Sequence, residues 1–350
     1  FNETTYPNLV KFFQDLNVPY EKSDMSFSVS IKNTNIEYSG SGLGGVFANK
    51  LNLFNLKFLV MIKEIISFYK TAPKLIKNKI INQTLGDFLN KKKLSKYFIE
   101  YHIIPMVAAI WSMPFDNAKK MPLKFFLNFF INHGLFKLKN RPQWYTVSNR
   151  SRAYVKKVTN KISGEIFKNY KVNKIVRSDD NIRIMTGNEY IDYDQVVLAS
   201  HADESLDMLE KPTTQEKNIL GKFKYVKNEA ILHTDESLMP QKKRAWSSWN
   251  SISDGEKTCI TYWLNKLQNL KTPRNYFLTL NPIHNVQDNS FIKKINFTHP
   301  YLNSENTILQ KDLHSIQGKK RTWFCGSYFG YGFHEDGLKS SIELINNFKI

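Results

Sequence analysis

Cysteine is scarce in this sequence, and its scarcity excludes a disulfide framework. The chain has 350 residues and two cysteines, Cys259 and Cys325. Neither has a second potential ligand at metal-binding spacing, so the sequence predicts no metal site. Unpaired cysteines are typical of a reducing compartment, and we expect a cytoplasmic protein.

Long apolar runs are also absent. The longest uninterrupted run near the middle, residues 103–111, is far short of the roughly 20 residues that cross a bilayer. The opening residues, FNETTYPNLV, show no initiator Met, basic region or apolar core of a secretory signal. The sequence predicts neither a span nor a leader, and the opening resembles the interior of a longer chain.

Arginine is rare although the chain is strongly basic. Lysine and arginine number 50 against 31 acidic residues, a formal net charge of +19, yet only eight of the 50 are arginines. Direct base readout and bidentate phosphate clamps favour arginine, so we expect no nucleic-acid partner. Two interpretations remain: a lysine-coated soluble surface, and peripheral attraction to the anionic inner face of a membrane.

Apolar residues, in contrast, are plentiful. They make up 41% of the chain and aromatic residues 14%, which is enough to offset the entropy of ordering. The length suggests two domains or one large domain. The sequence therefore predicts a globular protein with a sizeable core.

Hydrophobic periodicity divides the chain into helical and strand-rich parts. Apolar residues at helical spacing predict helices over 7–16, 51–70, 84–138 and 151–170, with Thr84 and Asp87 spaced as a capping box. Period-two alternation over 25–38 predicts a β-hairpin. Further strands are predicted over 172–199 and 223–297, and the chain ends in a strand over 322–325 and a helix over 336–348.

A literal G-x-G-x-x-G occurs at Gly40, Gly42 and Gly45. The strand before it belongs to the polar hairpin, and no apolar strand ending in an acidic residue follows about 20 residues later. A helix containing Lys63 and Glu64 follows instead. We therefore interpret the glycines as a hairpin-to-helix loop rather than a dinucleotide site.

A second glycine-rich segment, RTWFCGSYFGYGFHEDGLKSSIELI from Arg321, has a different pattern. A buried strand runs into Gly326, a turn containing Gly330 and Gly332, and a helix that begins near Gly337. Backbone N–H groups at a helix start form a site for an anion or a ring carbonyl, and glycines allow close approach. A structured turn without a ligand is the alternative.

This segment resembles the flavin-binding end of the FAD-dependent amine oxidase and phytoene desaturase superfamily. More narrowly, ordered blocks over nearly all of the chain resemble a bacterial branch of NAD/FAD-binding flavoproteins grouped with cyclopropane and methyl-branched fatty-acid synthesis. The blocks are TYPNLVKFFQDLNVP, SDMSFSVS, AAIWSMP, RAYV, LHTDESLMP, AWSSWN, TYWLNKLQNL, TLNP and GYGFHEDGLKSS.

The resemblance implies an α/β fold of the amine-oxidase type, with a discontinuous, Rossmann-like, three-layer FAD-binding domain and a mixed-sheet and helical substrate domain. The FAD-binding domain would comprise 1–22, 151–212 and 311–350, and the substrate domain 23–150 and 213–310. Family members begin with a strand, a G-x-G-x-x-G turn and a helix. Because Phe1 aligns downstream of that unit, we expect a chain that is truncated at its amino terminus.

The resemblance also implies FAD as the cofactor and assigns residues to it. Ser327 departs from the acidic residue of many members, and Asn149-Arg150 stands where Gly-Gly is expected. The implied cofactor-binding residues are Val172, Ala199, Gly326, Ser327, Gly332, Phe333, His334, Glu335, Asp336, Gly337 and Leu338.

The remaining candidates are histidines and aromatic residues. His233, Trp246 and His334 are candidate catalytic residues, and His334 and Glu335 could tune the flavin. Trp111, Phe115 and Trp249 are candidate substrate-pocket residues. Structural packing is the competing interpretation for each of these histidines and aromatic side chains.

The expected function is FAD-dependent oxidation or desaturation of an apolar, fatty-acyl substrate. One alternative is a non-catalytic lipid-binding or membrane-surface protein that uses 51–70 and 123–139 as interfacial helices, since both mix Phe and Leu with Lys. The other alternative is an inactive fragment of a flavoprotein.

Overall fold

The computed structural model describes residues 1–32, 34–76, 83–255, 257–301 and 303–348. These residues form two compact units, each built from separate stretches of chain. Unit 1 comprises Phe1–Glu3, Tyr20–Arg150 and Val226–His299. Unit 2 comprises Thr4–Pro19, Ser151–Tyr225 and the chain from Pro300 onward.

Helices and strands alternate along the described chain. The helices are α1 Pro7–Asp15, α2 Gly42–Val46, α3 Leu56–Leu75, α4 Leu85–Lys91, α5 Lys96–Phe98, α6 Ile104–Trp111, α7 Phe115–Lys119, α8 Leu123–Asn132, α9 Ser151–Thr159, α10 Ala202–Met208, α11 Thr214–Leu220, α12 Leu264–Leu267, α13 Ser304–Leu309 and α14 His334–Asn347. The strands are β1 Tyr20–Ser23, β2 Phe27–Ile31, β3 Glu37–Ser39, β4 Trp144–Val147, β5 Lys174–Arg177, β6 Ile182–Thr186, β7 Glu189–Tyr193, β8 Val196–Leu198, β9 Lys224–His233, β10 Trp249–Ser253, β11 Thr258–Trp263, β12 Phe277–Leu280, β13 Phe291–Tyr301 and β14 Thr322–Phe324.

Unit 1 is built on a seven-stranded sheet with the order β13-β9-β12-β11-β10-β2-β3. β2 pairs antiparallel with β3, which confirms the predicted hairpin, and parallel with β10. β10, β11, β12 and β9 follow as antiparallel neighbours. Because side chains alternate along each strand, the register places Ser28, Asn250, Thr261, Thr279 and His233 on one face of the sheet.

These side chains form a ladder of hydrogen bonds across the strands. Ser28 donates to Asn250 Oδ1 at 2.7 Å, and the Asn250 amide donates to the Thr261 carbonyl at 3.0 Å. The hydroxyls of Thr261 and Thr279 lie 2.8 Å apart, and Thr279 contacts His233 Nε2 at 2.7 Å. These residues are buried, so the ladder satisfies groups that would otherwise destabilise the sheet.

The helices of unit 1 contain its aromatic core. The capping box at Thr84 and Asp87 is present at the start of α4 as predicted. α8 is a core helix and not an interfacial one, which corrects the interpretation of 123–139. Packing on several sides explains why its apolar residues are nearly all buried: Leu123, Phe125, Phe126, Leu127, Phe129 and Phe130.

A π-helical turn, Ile99–Ile103, joins α5 to α6 and places His102 in the interior. Tyr38 donates its hydroxyl proton to the Tyr101 carbonyl at 2.8 Å and lies 3.0 Å from His102 Nδ1. The Tyr69 hydroxyl lies 2.9 Å from His102 Nε2, so both ring nitrogens have a hydrogen-bond partner. Burial lowers the pKa of His102 to about 3, so the ring is neutral.

Unit 2 contains a three-stranded antiparallel meander, β5-β6-β7, and a parallel pair, β8 and β14. All five strands were predicted. The predicted helix over 151–170 is shorter, because α9 ends at Thr159 and no regular element follows before β5. The core of this unit includes Ile175, Leu198, Leu220, Phe324 and Tyr328.

A buried ion pair ties the meander to α11. Arg177 donates to both carboxylate oxygens of Glu216, at 2.6 and 2.9 Å, and to the Lys211 carbonyl at 2.9 Å. Their side chains are 3% and 1% exposed. This contact explains why α11 belongs to unit 2, whereas the sequence interpretation placed 213–225 with the substrate domain.

The predicted domain ranges and the observed units differ at a few other boundaries. Residues 1–3 and 20–22 lie in unit 1, where β1 pairs with β4, and residues 300–310 lie in unit 2. The Gln310 amide donates to the carbonyls of Tyr328 and Gly330 at 3.1 and 2.6 Å. The pairing of β1 with β4 thus places residues 20–22 in unit 1, and the hydrogen bonds of Gln310 place the end of 300–310 in unit 2.

Candidate functional site

The candidate site lies in unit 2, at the start of α14. β14 leads into Gly326, a 3₁₀ turn over Ser327–Phe329, the loop containing Gly330 and Gly332, and then α14. A pocket of about 530 Å³ opens at the first turn of that helix. It is lined by Leu9, Phe12, Ser327, Gly332, Phe333, His334, Gly337 and Leu338.

The pocket lies beside the carboxyl ends of the parallel strands. β8 ends at Leu198, whose carbonyl accepts the Cys325 N–H at 3.1 Å. A Cβ added to Gly326 would lie 3.7 Å from the Ser200 carbonyl oxygen. The structure thus brings the end of β8, with exposed Ala199, next to Gly326. Ligands of open α/β sheets bind at such carboxyl ends.

Glycine is needed at several positions around this pocket. Gly332 has φ +95°, in the region that favours glycine. A Cβ on Gly337 would lie 3.6 Å from the Ser327 backbone nitrogen, an ordinary van der Waals contact, so a methyl group fits there and a larger side chain would fill the pocket. A Cβ on Gly330 would overlap the Asp336 carboxylate, and one on Gly326 would overlap the Tyr328 ring.

Ser340 connects α14 by a hydrogen bond to Gly326, just after the end of β14. The sequence analysis did not identify this residue. The Gly326 N–H donates to Ser340 Oγ at 2.9 Å, and that hydroxyl lies 2.7 Å from the Gly337 carbonyl oxygen. Ser340 is buried. Its position one turn after Gly337, in the sequence GLKSS, is the signal that could have revealed it.

The Glu335 carboxylate is hydrogen-bonded to residues of another helix, α1. It accepts hydrogen bonds from the Asn8 N–H at 3.0 Å, the Asn8 amide at 2.7 Å and the Leu9 N–H at 3.0 Å. α1 has no side-chain cap of its own at Tyr6. Glu335 therefore caps α1, and the structure gives no support to the flavin-tuning role expected for it.

Asp336 accepts a hydrogen bond at the start of α14. Its Oδ2 accepts the Phe333 N–H at 3.0 Å. Burial raises the pKa of Asp336 to about 6, with hydrogen bonds from the Phe333 and Tyr331 backbone acting in the opposite direction. His334, one of the predicted catalytic residues, is exposed at the pocket rim.

The other implied cofactor residue, Val172, lies outside this pocket. It precedes β5 and packs, partly buried, against the core of unit 2. Ser327 and Leu338, in contrast, line the pocket as the resemblance implied. The structure thus groups most of the carboxyl-terminal candidates and leaves Val172 in the packing of the meander.

The catalytic candidates of unit 1 lie in its core. Both ring nitrogens of His233 are hydrogen-bonded, Nε2 to Thr279 and Nδ1 as acceptor of the Asp235 N–H at 3.1 Å. Desolvation lowers the pKa of His233 to about 4. Trp246 is buried, donates to the Pro240 carbonyl at 2.7 Å and packs against Phe277. These contacts favour the structural interpretation of both residues.

Unit 1 has a pocket of its own, of about 940 Å³. Of the three predicted pocket residues, Phe115 lines it. Trp111 packs instead against Phe125 and Phe129 in the core. Trp249 packs edge-on against Tyr262, and its indole N–H has no hydrogen-bond partner among the described residues.

Sequence reasoning missed the main lining residues of this pocket. Its apolar lining comes from the sheet and from α6 with the residues after it, and three lysines and three acidic residues, Glu100, Asp116 and Glu229, also line it. The apolar side chains include Ile31, Ile104, Ala108, Met113, Ile260 and Leu280, and the lysines are Lys96, Lys119 and Lys257. Strand register brings these side chains together, and register is not visible in the local pattern.

The literal G-x-G-x-x-G follows the short strand β3 in unit 1 and leads into the five-residue helix α2. β3 is an edge strand that pairs antiparallel with β2. This geometry confirms the predicted hairpin-to-helix loop. Within the described part of the chain, no group of three metal-ligating side chains occurs, and no helix is long and apolar enough to cross a membrane.

Comparison with known proteins identifies the fold. No protein-family model and no curated protein matches the chain. A CLA-producing fatty acid isomerase from P. acnes matches with a TM-score of 0.64 and 11% identity, over 99% of this chain and 85% of the isomerase. A protein assigned as a protoporphyrinogen oxidase from Exiguobacterium sp. 255-15 matches with a TM-score of 0.65 and 12% identity, over 99% and 85%.

Putrescine oxidase bound to putrescine matches with a TM-score of 0.65 and 8% identity, over 98% of this chain and 85% of the oxidase. At such identities the comparison concerns the fold. The chain has the amine-oxidase-like α/β fold that its sequence resemblance implied.

The α14 pocket fits the ring of a flavin. It combines N–H groups of a helix start, two glycines that leave the wall flat, and apolar side chains of α1 and α14. In unit 2, β14 leads into the glycine-containing loop of this pocket, whereas β8 leads into α10 through Ala199-Ser200-His201, without a glycine. The residues that fit are therefore those for the ring portion of the cofactor.

Proposed function

We propose that this chain is an FAD-dependent oxidoreductase that oxidises or desaturates an apolar, fatty-acyl substrate. The observation that carries the proposal is the glycine-walled pocket at the start of α14, in a fold shared with amine-oxidase-type enzymes. Bound FAD would supply a ring that accepts hydride or electrons from a substrate carbon. The protein would supply positioning and a dry pocket.

The chain's own residues have distinct tasks in this proposal. Gly332 and Gly337 leave room for a flat ring against the backbone. The first N–H groups of α14 favour negative charge on the ring edge beside them. Leu9, Phe12 and Leu338 exclude water from the pocket. Each task is positional, and none requires a protein acid or base.

The fatty-acyl substrate is proposed from the pocket of unit 1. A volume of about 940 Å³ lies within the range of pockets that enclose small ligands. Its apolar lining suits an acyl chain. Two of its lysines pair with neighbouring acids, Lys96 with Glu100 and Lys119 with Asp116, whereas Lys257 has no ion pair among the described residues. Lys257 is thus placed to attract an anionic head group.

A flavin titration of two glycine variants tests the cofactor proposal. Gly337→Val places a branched side chain against Ser327 in the pocket, and we expect FAD affinity to fall at least about tenfold. Gly164→Val is the matched control in unit 2, since nothing lies within 4 Å of its added Cβ. Equal affinities for the two variants would contradict the placement of the ring.

Head-group recognition is tested separately. We expect Lys257→Glu to weaken binding of a fluorescent fatty acid about tenfold, because attraction becomes repulsion, and to leave its methyl ester unaffected. Lys168→Glu, a change at an exposed position of unit 2, serves as the control. If acid and ester respond equally to Lys257→Glu, the anionic substrate is rejected while the flavin proposal stands.

A further inference from the structure

One segment of unit 1 exposes large apolar side chains among lysines. It comprises the 3₁₀ turn Lys50–Phe54 and the outward side of α3, and we call it the Leu–Lys surface. Phe54 is 85% exposed, Leu56 78% and Val60 48%. Its members are Lys50, Leu51, Leu53, Phe54, Leu56, Lys57, Leu59, Val60, Lys63, Ile66 and Lys70.

The outward side chains of α3 are additional to the core-forming ones. Phe58, Met61 and Ile65 face the core and are buried. Leu56, Leu59, Val60, Lys63, Ile66 and Lys70 recur at helical spacing and form an exposed stripe. A shallow groove of about 470 Å³ follows this stripe and is lined by Leu59, Ile62, Lys63, Ile66, Ser67 and Lys70. α3 is therefore apolar on two sides, and the second side is exposed.

The Leu–Lys surface carries positive charges that no nearby carboxylate of the described residues neutralises. Among the described residues, no carboxylate lies within ion-pair distance of Lys50, Lys57, Lys63 or Lys70. The acidic residue of α3, Glu64, accepts the Ser95 N–H at 2.9 Å and the Ser95 hydroxyl, so its charge caps α5. The surface therefore presents positive charge beside exposed apolar groups.

A second copy of this chain would bring lysine against lysine, and like charges oppose that contact. An anionic lipid bilayer matches both features. Phe and Leu side chains enter the boundary between head groups and acyl chains, while lysines extend to the phosphates. Each lysine near such a membrane contributes about a fivefold gain in affinity.

We infer that the Leu–Lys surface docks the protein on an anionic membrane. The docking is peripheral, through one helix lying on the bilayer. It is independent of the flavin proposal, because none of its residues lines either pocket described above.

Vesicle sedimentation of the purified protein tests this docking. The vesicles are phosphatidylcholine alone and phosphatidylcholine mixed with phosphatidylglycerol. We expect salt-sensitive binding to the mixed vesicles and at least about tenfold weaker binding after Phe54→Gln with Leu56→Gln. The matched control is Ile308→Gln with Ile345→Gln, which changes two apolar side chains of unit 2 that are 67% and 66% exposed.

The lysines are tested with a second pair of variants. Lys57→Gln with Lys63→Gln should weaken binding to the mixed vesicles about 25-fold, whereas Lys168→Gln with Lys171→Gln, at exposed positions of unit 2, should change it little. A Phe54→Trp variant should shift its fluorescence to the blue when the anionic vesicles are added. Absence of binding, equal effects of both pairs, or self-association that depends on Phe54 and Leu56 would overturn the inference.

Discussion

Glu335 caps a helix that begins more than three hundred residues earlier in the chain. Its Oε1 accepts both the backbone N–H and the side-chain amide of Asn8, at 3.0 and 2.7 Å. The carboxylate thus compensates the positive end of α1 and connects the first and last helices of unit 2. The residue beside the candidate flavin pocket is a structural anchor.

Replacing Glu335 should therefore reduce stability. Glu335→Ala leaves the N–H groups of Asn8 and Leu9 without their acceptor, and we expect a loss of ~1–3 kcal/mol in the free energy of unfolding, measured in urea. Glu343→Ala is the control on the same helix, since Glu343 pairs with Lys339 at 3.9 Å on the surface. Its expected effect is within ~0.5 kcal/mol, and equal losses would contradict the capping role.

Asp336 should make stability depend on pH in a defined direction. Burial raises its pKa in the folded protein to about 6 from the usual 3.8. Ionisation is thus harder in the folded state, and this group's contribution to stability is lost as pH rises through that interval.

The variant Asp336→Asn retains an oxygen acceptor for the Phe333 N–H without the charge. We expect it to gain ~1–2 kcal/mol relative to the native protein between about pH 4 and pH 8, measured by urea unfolding. A difference between the two proteins that stays constant across this range would show that Asp336 does not titrate abnormally.

The ion pair between Arg177 and Glu216 should be costly to break. Arg177→Met leaves the Glu216 carboxylate buried without its partner, and we expect a loss of ~3–5 kcal/mol. Arg183→Met breaks the exposed pair of Arg183 with Asp192, at 2.8 Å, and should change stability little, because solvent screens the pair. Thermal or urea unfolding compares the two variants, and similar losses would refute the distinction between buried and exposed pairs.

The buried His102 network gives a further test within unit 1. Tyr69→Phe removes the hydroxyl that is hydrogen-bonded to His102 Nε2, and the unpaired nitrogen should cost ~1–3 kcal/mol of stability. Tyr190→Phe, a change on an exposed ring of unit 2, is the control and should be nearly neutral. Circular dichroism during urea unfolding provides the measurement. An unchanged free energy of unfolding in Tyr69→Phe would show that this hydrogen bond does not stabilise the protein.

Local patterns predicted much of the secondary structure. The hairpin of β2 and β3 follows from period-two alternation, and α1 and α4 follow from apolar spacing and start signals. α9 was predicted too long, although Asn160 and Gly164 disfavour helix in that stretch. The alternative interpretation of 123–139 as an interfacial helix was wrong, because the alternation of Phe, Leu and Lys does not show how many sides of a helix the fold covers.

The sequence indicated where the candidate site lies, but it did not show which contacts its individual residues make. Gly326, Gly332 and Gly337 are recognisable because glycines before a helix allow close approach. The true partner of Glu335 lies in α1, and no local pattern connects segments so far apart. His233 and Trp246 were candidates because reactive and structural side chains are the same residue types, and burial distinguishes them.

Flavin binding is the most direct test of the central claim. The purified protein should be titrated with FAD while protein fluorescence and thermal unfolding are followed, with Gly337→Val and Gly164→Val measured in parallel. The account predicts saturable binding that raises the melting temperature of the native protein and of Gly164→Val, with at least about tenfold weaker binding to Gly337→Val. No binding of FAD to the native protein, or equal binding to both variants, would contradict it.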